Sequence, residues 1–192
     1  MEQLSPTVMM ISGSEPIPEG TEDYVKIALM GPTDLNPAND SWQSKFAQGV
    51  AAITSTEPGK GIVQFRGTKI LLLNCQSSQP QNPQMTFDNP EFVNKLSADL
   101  DYSGAADGIF FNFLKKSTGI IAPVEFSLIA QSGKVVTRCS NEYVNYGLIR
   151  TLCERYKAPL LPGATTSVLL VLQTMWSYIP KFQEIQKFKL PE

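Results

Sequence analysis

Apolar residues in this chain come in short dense runs, separated by polar stretches carrying Pro, Gly, Asn and Asp. YVKIALMG (24–31), TKILLLNC (68–75), GIFFNFL (108–114) and GKVVTRC (133–139) are apolar almost throughout and short, and turn residues bound them. That pattern predicts strands buried on both faces. APLL (158–161) predicts a short fifth strand, and 62–65 a short strand or hairpin arm.

The intervening stretches follow helical spacing. Trp42, Phe46, Val50 and Ile53 mark one apolar helix face, with Asp40 or Ser41 as its cap. Phe92, Leu96 and Leu100 mark a second helix, opened by Asp88 or Asn89. Further helices are predicted over 123–132, 145–156 and 165–178, and Gly133-Lys134 reads as a helix stop. Strands alternating with helices predict an α/β fold: a flavodoxin- or Rossmann-like three-layer sandwich around a mostly parallel five-stranded sheet. In such sheets ligands bind at the carboxyl ends of the strands.

The expected organisation is an extended N-terminal arm (1–21), one domain (22–178) and a polar C-terminal tail (179–192). The arm is rich in Pro, Ser, Gly and Glu, and its VMMI (8–11) reads as a segment that docks on the body or on a partner subunit. The polar stretch QSSQPQNPQMTFDNP (76–90) follows a strand end, and a loop of that length is expected to be functional or mobile.

Composition narrows the chemistry. With 192 residues, 42% hydrophobic and 18% charged, the chain has material for one ordinary core. A formal charge of −2 and a pI near 5.3 give no bulk attraction to nucleic acid or anionic lipid. There is no histidine, which excludes Ser-His-Asp and Cys-His triads and any His-ligated metal. Carboxylates become the leading acid–base candidates. Cys75, Cys139 and Cys153 lie in or beside apolar runs and read as buried reduced thiols. No apolar run reaches the length of a membrane span and the start lacks a signal-peptide pattern, so a soluble, cytoplasmic protein without membrane contact is expected.

Among the carboxylates, Glu125 stands out inside an otherwise apolar helix, either as a chemical group or as a first-turn acid favoured by the helix dipole. Asp99 reads alone as a solvated helix residue, and Asp107 as a strand-start acid that satisfies backbone donors. Asn74 and Asn112 sit at strand ends, where each either bonds within the sheet or faces a ligand. Trp42 is a core anchor or a base-stacking platform. Gly31-Pro32 is a turn, or a close approach to a sugar or phosphate. Lys115-Lys116 is a solvated pair, or an attraction for phosphate.

The order of several segments resembles nucleoside 2-deoxyribosyltransferases and the related nucleotide N-glycoside hydrolases, over about residues 26–159. The segments are KIALMGP (26–32), a helix opening at Trp42, LLLNC (71–75), Asp99 eight positions before Asp107, TGIIAPVEFSLIAQSGK (118–134) and VNYGLIRTLCERYKAPLL (144–161). The resemblance implies that Glu125 is a nucleophile at the anomeric carbon. It implies that Asp99 orients the substrate and assists protonation of the leaving base. Gly31, Pro32, Trp42, Asn74, Asn112, Ser117, Thr118 and Asn145 are the substrate-binding positions expected with it. It further implies a nucleoside or nucleotide substrate, no metal or organic cofactor, and a homo-oligomer with shared active sites.

The chain also departs from the family pattern. Ala28 and Leu29 stand where an aromatic residue is common, Gly119 where Asp is common, Phe126-Ser127 where Leu-Gly follows the glutamate, and Leu148 where a neighbouring subunit lends Asn; the Arg common after Asn74-Cys75 is missing. These losses motivate a second reading, a nucleotide-binding or sequestering protein without turnover. A third is an assembly role carried by the arm and tail.

Overall fold

The computed structural model describes residues 1–13, 15–31, 41–75, 89–117, 121–163 and 166–187. Pro32 and Thr118 lie outside the described residues, as does nearly all of the 76–90 stretch. The fold is α/β; the described residues form seven strands, parallel except for one antiparallel pair, and six α-helices. The chain divides into two compact units, Met1–Met30 with Asn36–Ala106, and Gly31–Leu35 with Asp107–Glu192.

The first unit contains β1 (Glu2–Ser5), β2 (Val8–Ser12), β3 (Val25–Met30), α1 (Trp42–Thr54), β4 (Ile70–Asn74) and α2 (Pro90–Ala105), with strand order β1-β2-β4-β3. All five residues of β4 are buried, and the strand is paired on both sides. β2 lies parallel to it from Val8↔Ile70 to Ser12↔Asn74, and β3 from Val25↔Ile70 to Leu29↔Asn74. β1 folds back antiparallel on β2.

Residues 2–5 and 8–12 are therefore strands rather than an extended arm, VMMI docks on the body by pairing with β4, and the described strands number seven rather than five. VMMI is apolar at successive positions because both faces of β2 are covered, and Val8 and Ile11 are fully buried. The Pro6-Thr7 reversal between β1 and β2 is tied to α1: the Thr7 and Thr54 hydroxyls lie 3.2 Å apart, and Thr54 also donates to the Val50 carbonyl.

α1 starts where its cap predicts, with the Ser41 hydroxyl accepting the Ser44 N–H at 3.1 Å. Residues 63–65 form a 3-10 turn rather than a strand, with Phe65 buried and Val63 exposed. The Ile62 N–H bonds back to the Ile53 carbonyl at 2.8 Å, so the segment folds onto the end of α1 instead of joining the sheet.

The second unit contains β5 (Gly108–Phe113), α3 (Ile121–Ile129), β6 (Val135–Cys139), α4 (Tyr146–Tyr156), β7 (Leu160–Pro162), α5 (Val168–Tyr178) and α6 (Pro180–Lys187). Its strands are parallel in the order β5-β6-β7. Alternation along β5 sends its side chains to two helical layers. Phe111 and Phe113 meet the Phe126 ring of α3 edge-on at 5.1 and 5.5 Å. On the other face, a Cβ added at Gly108 would fall 2.9 Å from the Phe182 ring of α6.

The expected tail is thus in part a helix belonging to the core. Residues 180–187 form α6, and Phe182 is fully buried with its ring 4.6 Å from that of Trp176. The polar residues of PKFQEIQK conceal one aromatic anchor, and that anchor decides where the segment packs.

If β2 is core, Ile11→Ala removes a buried side chain and should cost about 2–5 kcal/mol. Urea unfolding measures this; a free arm would show almost no change.

Candidate functional site

The outward positions of α3 are Val124, Ser127 and Leu128, and its inward ones are Ala122, Pro123, Glu125 and Phe126. Glu125 is the only charged residue of this helix, and it is 6% exposed. A dipole-favoured surface acid would stand on the other side of the helix. Burying a carboxylate is costly unless the surrounding groups compensate it. Phe126 fixes the rotation of α3 through its contacts with β5, and that rotation carries the adjacent Glu125 inward.

Four other expected substrate positions share this unit. Gly31 and Asn112 are in contact through their backbones. Gly31 has φ +139°, and a Cβ there would lie 2.6 Å from the Asn112 carbonyl oxygen, so both conformation and space demand glycine. The Asn112 side chain is 1% exposed, and its Oδ1 has no hydrogen-bond partner among the described residues. Ser117 is buried in the turn after β5, where its N–H bonds to the Leu114 carbonyl. Asn145 is the N-cap residue of α4, but its side chain makes no capping bond.

Asp107 is also in this unit. Its carboxylate is ion-paired with Lys181 of α6, so a side-chain cation holds it, not only backbone donors. Lys115 pairs with Glu142 at 2.5 Å, both exposed.

Asp99, Asn74 and Trp42 belong to the first unit. Asp99 lies on α2 and is 2% exposed, which rules out the solvated reading. One turn along, Tyr102 donates its hydroxyl to the Glu15 carbonyl at 2.6 Å. Burial, followed by the proximity of Cys75, Glu15 and Asp99, pushes the Tyr102 phenol up to about 12. Asn74, at the carboxyl end of β4, donates from Nδ2 to the Ser12 hydroxyl at 3.2 Å, and its carbonyl accepts the Gly13 N–H. Asn74 thus binds the end of β2, which satisfies the within-sheet alternative. Trp42 is the first residue of α1 and is half-buried.

The three cysteines are buried and form no disulfide among the described residues. Burial and the neighbouring Cys153 raise the Cys139 thiol to about 12, and burial raises Cys153 as well. Both thiols stay protonated at neutral pH, which leaves them poor nucleophiles. Among the described residues no three His, Cys, Asp or Glu side chains cluster as a metal site. No described helix is long and apolar enough to cross a membrane.

Two residues of this chemistry escaped the sequence reading. Tyr102 was not among the positions marked on α2. Arg138 looked like the end of a strand, although a cation inside VVTRC was itself a signal. Its Nε and Nη2 both donate to the Gly163 carbonyl, at 2.9 and 2.5 Å.

No protein-family model matches the chain, and no curated protein does either. Among solved structures it is similar to the cytosolic domain of the T. maritima FeoB iron transporter in a GDP form. The TM-score is 0.42 at 17% identity, over 85% of this chain and 64% of that one. The chain thus spans less than two thirds of that structure's length, and the likeness carries no argument about activity.

The Tyr102 shift has a definite sign. The folded protein holds this proton between pH 10 and about 12, where an unfolded tyrosine has lost it. Stability from this group is therefore present below pH 10 and is lost as pH rises through 12. Followed by tyrosinate absorbance, Tyr102 should titrate late, near 12, and Tyr102→Phe should remove that step while leaving the upward shift that burial gives Tyr178.

Gly31→Ala should destabilise the protein by about 1–3 kcal/mol or more, from backbone strain at positive φ and collision with Asn112. A denaturant midpoint equal to wild type would contradict this.

Proposed function

We propose that the chain acts on the N-glycosidic bond of a nucleoside or nucleotide, with Glu125 as the nucleophile. The observation that carries the reading is the burial of Glu125, the only charge on α3, at the position that the resemblance gives to the nucleophile.

In this reaction a Glu125 carboxylate oxygen attacks the anomeric carbon as the bond from that carbon to the base nitrogen breaks. The electron pair leaves with the base, which takes up a proton from an acid. Positive charge builds on the sugar in the transition state, and a carboxylate held in a water-poor environment stabilises it more than one in bulk water. Water or a second base then attacks the same carbon and releases the Glu125 ester, giving hydrolysis or base exchange. The resemblance gives the acid's role to Asp99, a residue of the first unit that is buried rather than solvated.

The remaining expectations belong to the same proposal: a cytoplasmic location and a homo-oligomer. Val124 and Leu128 on α3, and Val144 and Leu148 near the start of α4, are large aliphatic side chains between 48% and 69% exposed. They support packing against a second copy of the chain.

The second reading, ligand binding without turnover, is favoured by Gly119 and Leu148 standing where the family carries Asp and Asn. Incubation with deoxynucleosides, deoxynucleotides and ribonucleotides, followed by chromatography for free base, separates the two. Glu125→Gln should lower base release on the order of 10³-fold or more while the protein stays folded. Undiminished release in this variant would sink the mechanism, and stabilisation by nucleotide without any release would establish the second reading. For the oligomer, Leu128→Glu should shift the mass seen by light scattering down to one chain.

A further inference from the structure

The second unit contains a cation and an acceptor that the glycosidic chemistry leaves unused. β6 is buried along its length except at Arg138. The register Asn112↔Arg138 places these two polar side chains side by side on one face of neighbouring parallel strands. The opposite face is the one that Phe111 and Phe113, one residue to either side of Asn112, present to Phe126 and α3. Both residues lie toward the carboxyl ends of their strands, where α/β sheets take ligands.

The arrangement is electrostatically incomplete. Arg138 is held in one orientation by the Gly163 carbonyl, and no carboxylate pairs with it among the described residues. Burial lowers its pKa, so its charge is partly desolvated without a counter-charge to offset that. Beside it, the Asn112 Oδ1 is buried and lacks a donor among the described residues. A buried acceptor left unmade is costly, and a guanidinium pairs best with a planar or tetrahedral oxyanion. Gly31 packs so closely on the Asn112 backbone that a Cβ there would lie 2.6 Å from its carbonyl oxygen, which fixes the position of Asn112 in the strand. The missing partner therefore carries an oxyanion and, next to it, an O–H or N–H.

We propose that Arg138 and Asn112 bind a nucleotide, the phosphate lying on the guanidinium and a sugar hydroxyl or base amino group donating to the Asn112 oxygen. This rests on the nucleoside-type reading above and narrows it: the ligand is the phosphorylated form. The phosphate contact supplies affinity through charge, and the Asn112 contact selects for a donor, because a ligand without one leaves the orphaned oxygen as it was.

The test is binding rather than turnover. Thermal shift and calorimetry on the full chain would compare the four 2′-deoxynucleoside 5′-monophosphates with the four 2′-deoxynucleosides, inorganic phosphate and ribose 5-phosphate. At least one monophosphate should bind tenfold or more tightly than its nucleoside and than either simple phosphate. Arg138→Gln should remove that preference. Arg138→Lys, which keeps the charge and loses the bidentate geometry, should bind at an intermediate level and guards against a folding defect in the first variant.

Asn112→Leu should weaken the monophosphate tenfold or more while raising the Tm of the free protein, since the orphaned oxygen is gone. Equal affinity for nucleoside and monophosphate, or unchanged binding in Arg138→Gln, would overturn the site. So would equally tight binding of inorganic phosphate or ribose 5-phosphate. A lowered Tm in unliganded Asn112→Leu would assign Asn112 to structure instead. The two proposals fail separately. Monophosphate binding retained in Glu125→Gln without base release in wild type keeps this site and removes the chemistry. Base release from nucleosides that Arg138→Gln leaves untouched does the reverse.

Discussion

The first unit depends on the pairing needs of β4. A strand of five buried residues has backbone donors and acceptors along both edges, and away from water each requires a partner. β3 satisfies one edge and β2 the other. β2 comes from far back in the chain, so the start of the sequence is committed to the interior. The Asn74 bond to Ser12 and the Gly13 N–H to the Asn74 carbonyl close this pairing at its carboxyl end. The second unit solves the same problem with chain-order neighbours, each strand separated from the next by one helix.

The polar groups inside these apolar frameworks are where function is to be sought. Asn112 between Phe111 and Phe113, Glu125 beside Phe126, Arg138 in a buried strand and Asp99 beneath the surface of α2 all oppose the stability of a purely apolar core. Asp107 answers its burial with Lys181. Arg138 and Asn112 have no such answer from side chains in the described part of the protein, which separates them from the structural polar residues.

Much of this was legible in the residues. The runs at 25–30, 70–74, 108–113 and 135–139 are strands because each is apolar at successive positions and bounded by turn formers. Ser41 caps α1 because its hydroxyl reaches the third residue of the new helix. What was read differently has physical reasons. VMMI is brief and set among Pro, Ser and Gly, and only its pairing with residues sixty positions later makes it a strand. The helix at 180–187 rests on Phe182, one aromatic among polar neighbours. Burial of Asp99 depends on which side of α2 meets the sheet, and the weak apolar spacing of that helix did not reveal it. Glu125 and Asn112 were picked out because a polar residue within an apolar run is visible without any coordinates.

The strands at the two ends of the sheet order, β1 and β7, are both poor templates for another chain. β1 has four residues and a register irregularity between Gln3 and Ser5, and β7 has three and ends at Pro162, which has no N–H to offer. An incoming extended peptide would find too few regularly spaced backbone groups at either border to zip onto. Each of these two strands, within its own unit, is thereby a poor seed for strand-to-strand polymerisation.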